Sequence, residues 1–87
     1  MSLASPEGNT PLHYAVLSDN PLFVESLLFE GYQVNAQNRL GQTPLHVAYK
    51  HEQIGNAVVL IRRGADLYIK DVTGKLPTDY DVNTQEA

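Results

Sequence analysis

Apolar residues in this chain come in short helical groups rather than in long runs or strict alternation. Leu12, Ala15 and Val16 stand at i, i+3 and i+4, as do Leu45, Ala48 and Tyr49, which places each trio on one face of a helix of about eight residues. Phe23, Val24, Leu27 and Leu28 form a third group, and Ile54, Ala57, Val58 and Ile61 a fourth with the i, i+3, i+4, i+7 stripe. The boundaries agree with this pattern. Thr10 and Thr43 precede Pro11 and Pro44, and Asn20 precedes Pro21. In each pair a side-chain oxygen can accept from the orphan amides of a first turn, and the proline needs no amide there. Gly31 and Gly64 are placed to end the second and fourth helices in the left-handed conformation. Gln53 is a poor cap and Gly55 weakens the turn after it, so the fourth helix has the weakest local start. Helices this short are marginal alone in water, so packing must hold them.

The same elements recur at a fixed offset. Gly8, Gly41 and Gly74 are spaced by 33 residues, as are Pro11, Pro44 and Pro77, and so are Gly31 and Gly64. Residues 8–40 and 41–73 align without a gap and share eight identities, six of them in Gly8-Asn9-Thr10-Pro11-Leu12-His13-Tyr14-Ala15 against Gly41-Gln42-Thr43-Pro44-Leu45-His46-Val47-Ala48. Self-similarity at this period signals a stacked array rather than an ordinary globule. Gly-x-Thr-Pro-Leu-His-x-Ala, a second helix, a glycine and a connector of roughly ten residues resemble the ankyrin repeat.

The resemblance implies one all-α domain over 1–87, a short solenoid of helix-turn-helix units joined by extended, hairpin-like connectors. Repeat one runs from about 8 to 40, repeat two from about 41 to 73, and a degenerate capping half repeat from about 74 to 87. In that last unit Leu76 replaces the cap Thr, Thr78 the Leu, Asp79 the His and Asp81 the Ala. A polar, short final unit suits an end that meets water. The resemblance also implies that His13 and His46 bond backbone and motif threonine and so tie successive connectors together.

Composition narrows the alternatives. With 87 residues, the chain buries only about 60 to 65% of the surface it exposes when unfolded. The longest apolar run is Ala57–Ile61, far short of the roughly 20 residues of a membrane span. Absence of cysteine excludes disulfides, thiolate catalysis and Cys-ligated metals and favours an intracellular setting, cytoplasmic or nuclear. The net charge of -4 is segregated: all six basic residues lie between 39 and 75, and both ends are purely acidic. That distribution argues against a basic stripe for nucleic acid.

Catalytic and metal-binding patterns are equally poor. His51-Glu52 lacks a second histidine because position 55 is glycine, and Asp71-Val72-Thr73-Gly74-Lys75 fails as a phosphate loop at Ile69 and Leu76. Neither an enzyme nor a cofactor is expected. The resemblance instead implies a protein-interaction module that reads a partner with its connector tips and the outward side of each first helix. Transferred position by position, that surface comprises Asn9, Leu17 and Ser18; Arg39, Leu40, Gln42, Lys50 and His51; and Val72, Thr73 and Lys75. Apolar tips at Leu40 and Val72, ringed by Arg39, Lys50 and Lys75, suit an acidic, partly apolar protein or peptide. Its centre is expected on the second repeat and the turn after it, with Leu17 and Ser18 contributing little. The alternative is an assembly segment, monomer or weak homodimer, whose bare ends (Leu3, Leu17 and Leu22 at the N-terminal side) stack on another domain or a second copy, as a regulatory part of a larger protein. Tyr32 and Tyr68 fit interface contact and packing under a connector equally well. Asn35 occupies the connector position that is hydroxylated in many ankyrin repeats, and the resemblance makes it the candidate for that modification.

Overall fold

The computed structural model describes residues 7–80; the expectations for Leu3 and for Asp81 fall outside the described residues. Four helices follow one another, α1 (Pro11–Ala15), α2 (Pro21–Phe29), α3 (Pro44–Lys50) and α4 (Ile54–Arg62), and a 3-10 turn spans Pro77–Tyr80. Each start is built as its residues dictate. Thr10 and Thr43 are extended and cap α1 and α3 by accepting from the amides of His13 and His46, and Asn20 caps α2 by accepting from Phe23. Gln53 makes no capping bond to α4. Gly31 and Gly64 end the outer helices at φ +105° and +98°.

Packing follows the period of the sequence. The shorter helices α1 and α3 line one side, with α2 and α4 outside them. One core runs through both units, made of Leu12, Ala15, Val16 and Val24 from the first and Leu45, Ala48, Ala57 and Leu60 from the second. Leu27, Leu28, Val34, Val47, Tyr49, Val59, Ala65 and Leu67 pack against it half-buried. The faces expected for α1 and α3 are therefore the buried ones.

Of the stripe expected for α4, only Ala57 is buried. Ile54, Val58 and Ile61 are exposed, and Asn56, Ala57 and Leu60 turn inward. Two causes are visible. Asn56 is buried because its Nδ2 donates to the carbonyls of Val16 at 2.9 Å and Ser18 at 2.7 Å, satisfying carbonyls at the end of α1 that have no helical partner. Moreover, Ile54, Val58 and Ile61 stand 33 residues after Pro21, Glu25 and Leu28, which are half-buried on α2. Gly55 approaches Pro21 closely, and Arg63 pairs with Glu25. On α4 the corresponding side has no further unit to cover it among the described residues.

The third unit keeps more of the motif than its sequence promises. Pro77 is buried, and the Asp79 carboxylate accepts from the Leu76 amide at 2.8 Å, the role that His13 and His46 play toward Thr10 and Thr43. An aspartate thus replaces a histidine in closing the first turn. The 3-10 turn packs on α3.

Leu45 is fully buried at the centre of the array. Leu45→Ala should cost about 2 to 5 kcal/mol, a large part of the stability of a domain this small. Circular dichroism at 37 °C should find the variant largely unfolded; a cooperative melt lowered by only a degree or two would contradict the placement.

His13 sets a pH dependence. Burial pushes its imidazole below the ordinary value, only partly offset by its bond to Gln42, and His46 lowers it further. The folded state thus holds the neutral form while the unfolded chain takes up a proton near about pH 6.5. Stability conferred by neutral His13 is complete above that pH and is lost as pH falls through and below it. Urea midpoints should decrease from pH 7.5 to 5.5, and His13→Gln should flatten that decrease.

Candidate functional site

Connectors between helix pairs are set by paired turns one period apart. Asn38 Oδ1 accepts from the amides of Leu40 and Gln42, each at 2.9 Å. Asp71 Oδ1 accepts likewise from Thr73 and Lys75, each at 2.9 Å. The backbone closes around them, Asn38 N donating to Gln42 O and Asp71 N to Lys75 O. These are tight hairpin-like turns, with no strand assigned among the described residues.

Successive turns are then joined to each other. Arg39 N donates to Glu7 O at 2.7 Å, and Val72 N to Leu40 O at 2.9 Å. Each histidine reinforces the same junction from the helix side. Nδ1 of His13 accepts from the Thr10 amide at 3.0 Å, which leaves the proton on Nε2 to donate to Gln42 O at 2.7 Å. His46 repeats the arrangement, with 3.0 Å from Thr43 N and 3.0 Å to Lys75 O. Gly41 permits the close approach: its φ is +76°, and a Cβ there would lie 2.9 Å from the Val72 amide. The role implied for the two histidines is the one the structure gives them.

The last turn carries a denser network. Burial alone would raise the Asp71 carboxyl, but hydrogen bonds from the Thr73 hydroxyl at 2.6 Å, from the Tyr80 hydroxyl and from the Lys75 and Thr73 amides hold it well below the usual carboxylate range. The Tyr80 hydroxyl is raised by burial and by the same bond to Asp71. Gln42 Nε2 reaches Tyr80 at 3.4 Å, and the Lys75 ammonium lies 5.3 Å from the centre of its ring. The third unit is thereby fastened to the second.

The residues expected to meet a partner divide into two groups. Leu40 and Val72 are open to solvent, at 49% and 67% exposure, and are neighbours across the turn-to-turn bond. Arg39, Lys50, His51, Thr73 and Lys75 are exposed. Leu17 is 46% exposed and lines the same depression as Leu40. In the second group the side chains are engaged within the fold. Ser18 is exposed, yet its hydroxyl donates to Ala15 O and its carbonyl accepts from Asn56. Asn9 is half-buried and accepts from Asn38. Gln42 departs from expectation: it is buried, because its carbonyl receives His13, its amide is held by Asn38 and its side chain is turned to Tyr80.

Much of the first group comes together in one place. A depression of about 140 Å³ at the junction of the first two units is lined by Tyr14, Leu17, Leu40, Val47, Lys50 and His51 together with the polar groups Glu7, Asn9, His13, Asn38 and Gln42. Arg39 lies outside it on the same turn as Leu40, and Val72, Thr73 and Lys75 lie outside it on the next turn. A second hollow, of about 250 Å³, lies on the opposite, outer side between α2 and α4 beside the Glu25–Arg63 pair. Asn35 is half-buried; its Oδ1 accepts from Asp66 N at 2.8 Å and its Nδ2 donates to Gly64 O at 3.5 Å. Tyr68, one period on, cannot repeat this bridge and is 77% exposed. Among the described residues, no group of acids and histidines is gathered as a metal would require, and no helix is long and apolar enough to cross a membrane.

Stacked helix pairs and turn-to-turn bonds at one period define an all-α repeat solenoid. The family model described as Ankyrin repeats (3 copies) matches residues 1–71, and the chain belongs to the ankyrin-repeat family. It is 43% identical over 77 residues to an ankyrin repeat protein of fowlpox virus (strain NVSL), covering 83% of this chain and 23% of that protein. Identity to protein phosphatase 1 regulatory subunit 27 of Homo sapiens is 38% over 81 residues, 91% of this chain and 53% of the relative. NF-kappa-B inhibitor alpha of Gallus gallus is 32% identical over 75 residues, 82% of this chain and 24% of the relative. The chain therefore spans between about a quarter and about half of these relatives. Ankyrin repeats generally mediate protein–protein interaction.

Proposed function

We propose that this segment is a non-catalytic, intracellular recognition module, in the cytoplasm or nucleus, whose hollow side binds an acidic, partly apolar stretch of another protein. The observation that carries the reading is that exposed Leu17, Leu40 and Lys50 line one depression, with Arg39 on the same turn as Leu40 and with Val72 and Lys75 on the turn bonded to it. Exposed apolar groups with no core to enter mark interaction surfaces, and the cations around them select the sign of the partner. Relatives named as a phosphatase regulatory subunit and an inhibitor support a role exerted on another protein. Hydroxylation of Asn35 belongs to the same proposal, as a modification of the connector beside this surface rather than part of its contact.

Peptides selected on the folded domain from a phage-displayed random library supply the test. Charges at an exposed rim mainly steer association. Arg39→Glu combined with Lys75→Glu should therefore slow binding of acidic selected peptides strongly at low salt and much less at high salt. The melting temperature should fall by no more than a few degrees, because an exposed cation–π contact such as that of Lys75 contributes about 0.5 to 1 kcal/mol. Failure to select any peptide, or binding indifferent to the double reversal, counts against the reading.

A second reading, assembly through a bare end, is favoured by one observation. Ile54, Val58 and Ile61 present an uncovered apolar stripe where the preceding unit is covered. Light scattering during gel filtration distinguishes the two: a dimer that dissociates in Ile54→Ser/Val58→Ser would support end-to-end stacking, and a monomer at high concentration would exclude a second copy as the cover.

A further inference from the structure

Leu17 and Leu40 come from different elements, one just after α1 and the other at a connector tip, yet they line the same depression together with Tyr14 and Val47. Its volume of about 140 Å³ is close to that of a cavity that holds one benzene ring, about 150 Å³. The two sides of the hollow differ in charge. Lys50 and His51 stand at the end of α3, and Glu7 with the amides of Asn9 and Asn38 stands at the connector side.

The period of the array shows that this feature is specific to the first junction. One repeat further on, Leu17 is replaced by Lys50 and Leu40 by Thr73. The second junction therefore offers polar groups at the two positions where the first offers leucines. Val72 is exposed near it, but as part of a turn rather than of a lined hollow. An apolar anchor thus fits between the first and second units, whereas the basic groups Arg39 and Lys75 lie around and beyond it.

Resting on the recognition role proposed above, we infer that this depression seats a single leucine- or phenylalanine-sized side chain of a partner peptide, with the carboxylate of an adjacent acidic residue over Lys50. Glu7 at the opposite rim repels an acid there and so sets the direction of the peptide, its acidic flank toward the end of α3. Leu17 becomes a contact residue in this arrangement, although the sequence alone places it at the margin.

The smallest probe with these two features is N-acetyl-Leu-Asp-amide, titrated at millimolar concentration into the whole chain labelled at leucine and valine methyls. Methyl resonances of Leu17, Leu40 and Val47 should move together. N-acetyl-Ala-Asp-amide should bind about tenfold more weakly, because most of the buried apolar area is removed. N-acetyl-Leu-Asn-amide should bind roughly threefold more weakly at low salt and equally at high salt, as expected of a solvent-exposed charge pair. Leu40→Ser, at an exposed tip where folding does not depend on it, should abolish the shifts at Leu17 and Val47. Movement confined to Val72, or no movement in any methyl, overturns the seat. Library-selected peptides separate the two levels of inference: binding lost on reversing Arg39 and Lys75 but untouched by Leu40→Ser rejects the depression while leaving the recognition surface standing.

Discussion

Two imidazoles, each bonded at both nitrogens, set the distance between one unit and the next. Nδ1 closes the first turn of its own helix, and that choice forces the remaining proton onto Nε2, which reaches the connector of the following unit. Capping and stacking are consequently one interaction rather than two. A side chain that only capped would leave the junction to the turn-to-turn amides. One that only bridged would leave unanswered the half-buried Thr10 amide and the buried Thr43 amide, and an unmet buried donor costs about 1 to 3 kcal/mol. Leu12 and Leu45 enter the core at a fixed height because the histidine beside each has already fixed its helix against the next connector.

The same constraint explains the end of the array. Asp79 closes the first turn of the third unit but is too short, and lacks the second nitrogen, to reach onward to another connector. It performs the capping half of the histidine's work and drops the stacking half. Fastening backwards is taken over by Tyr80, which bonds Asp71 and receives Gln42. Placing an anionic carboxylate there is tolerable because four donors, two of them turn amides, converge on Asp71. Gln42 is drawn away from the solvent face by this network, which is why a position exposed in the repeat pattern is buried here.

How far the chain can be read from its residues alone depends on whether a residue answers to its own repeat or to its neighbour. Thr10, Pro11 and Leu12, with their copies 33 residues on, answer to local requirements, so their roles are legible in the order of the residues; His13 and His46 answer both to their own turn and to the next connector, and their second role is legible only through the repeat motif. The period also specifies the stacked fold. Helix α4 defeats the same reasoning because amphipathic periodicity assigns the most apolar stripe to the core, and here that stripe faces the side where a further unit would lie. Asn56 gives only a faint signal, a polar residue at the position that Phe23 occupies one period earlier. Its burial depends on two carbonyls at the end of α1 that no pattern within α4 reveals.

The surface shows the same division. Exposure of Leu40 and Val72 follows from their place at connector tips, and the basic charges follow from composition by segment. The depression does not, since it arises from Leu17 and Leu40, separated by 23 positions in the chain, being brought side by side by the Arg39–Glu7 and His13–Gln42 bonds. Repetition makes the scaffold regular, and a regular scaffold would present equivalent hollows at each junction. Specificity therefore has to come from where the repeats differ. The exchanges Leu17 to Lys50 and Leu40 to Thr73 alter side chains that contribute nothing to the buried core, so they could diverge without disturbing the stack. A rigid frame with free positions on its hollow side allows one junction to be apolar and the next polar, and an extended partner laid across both would meet an anchor first and a cationic turn second.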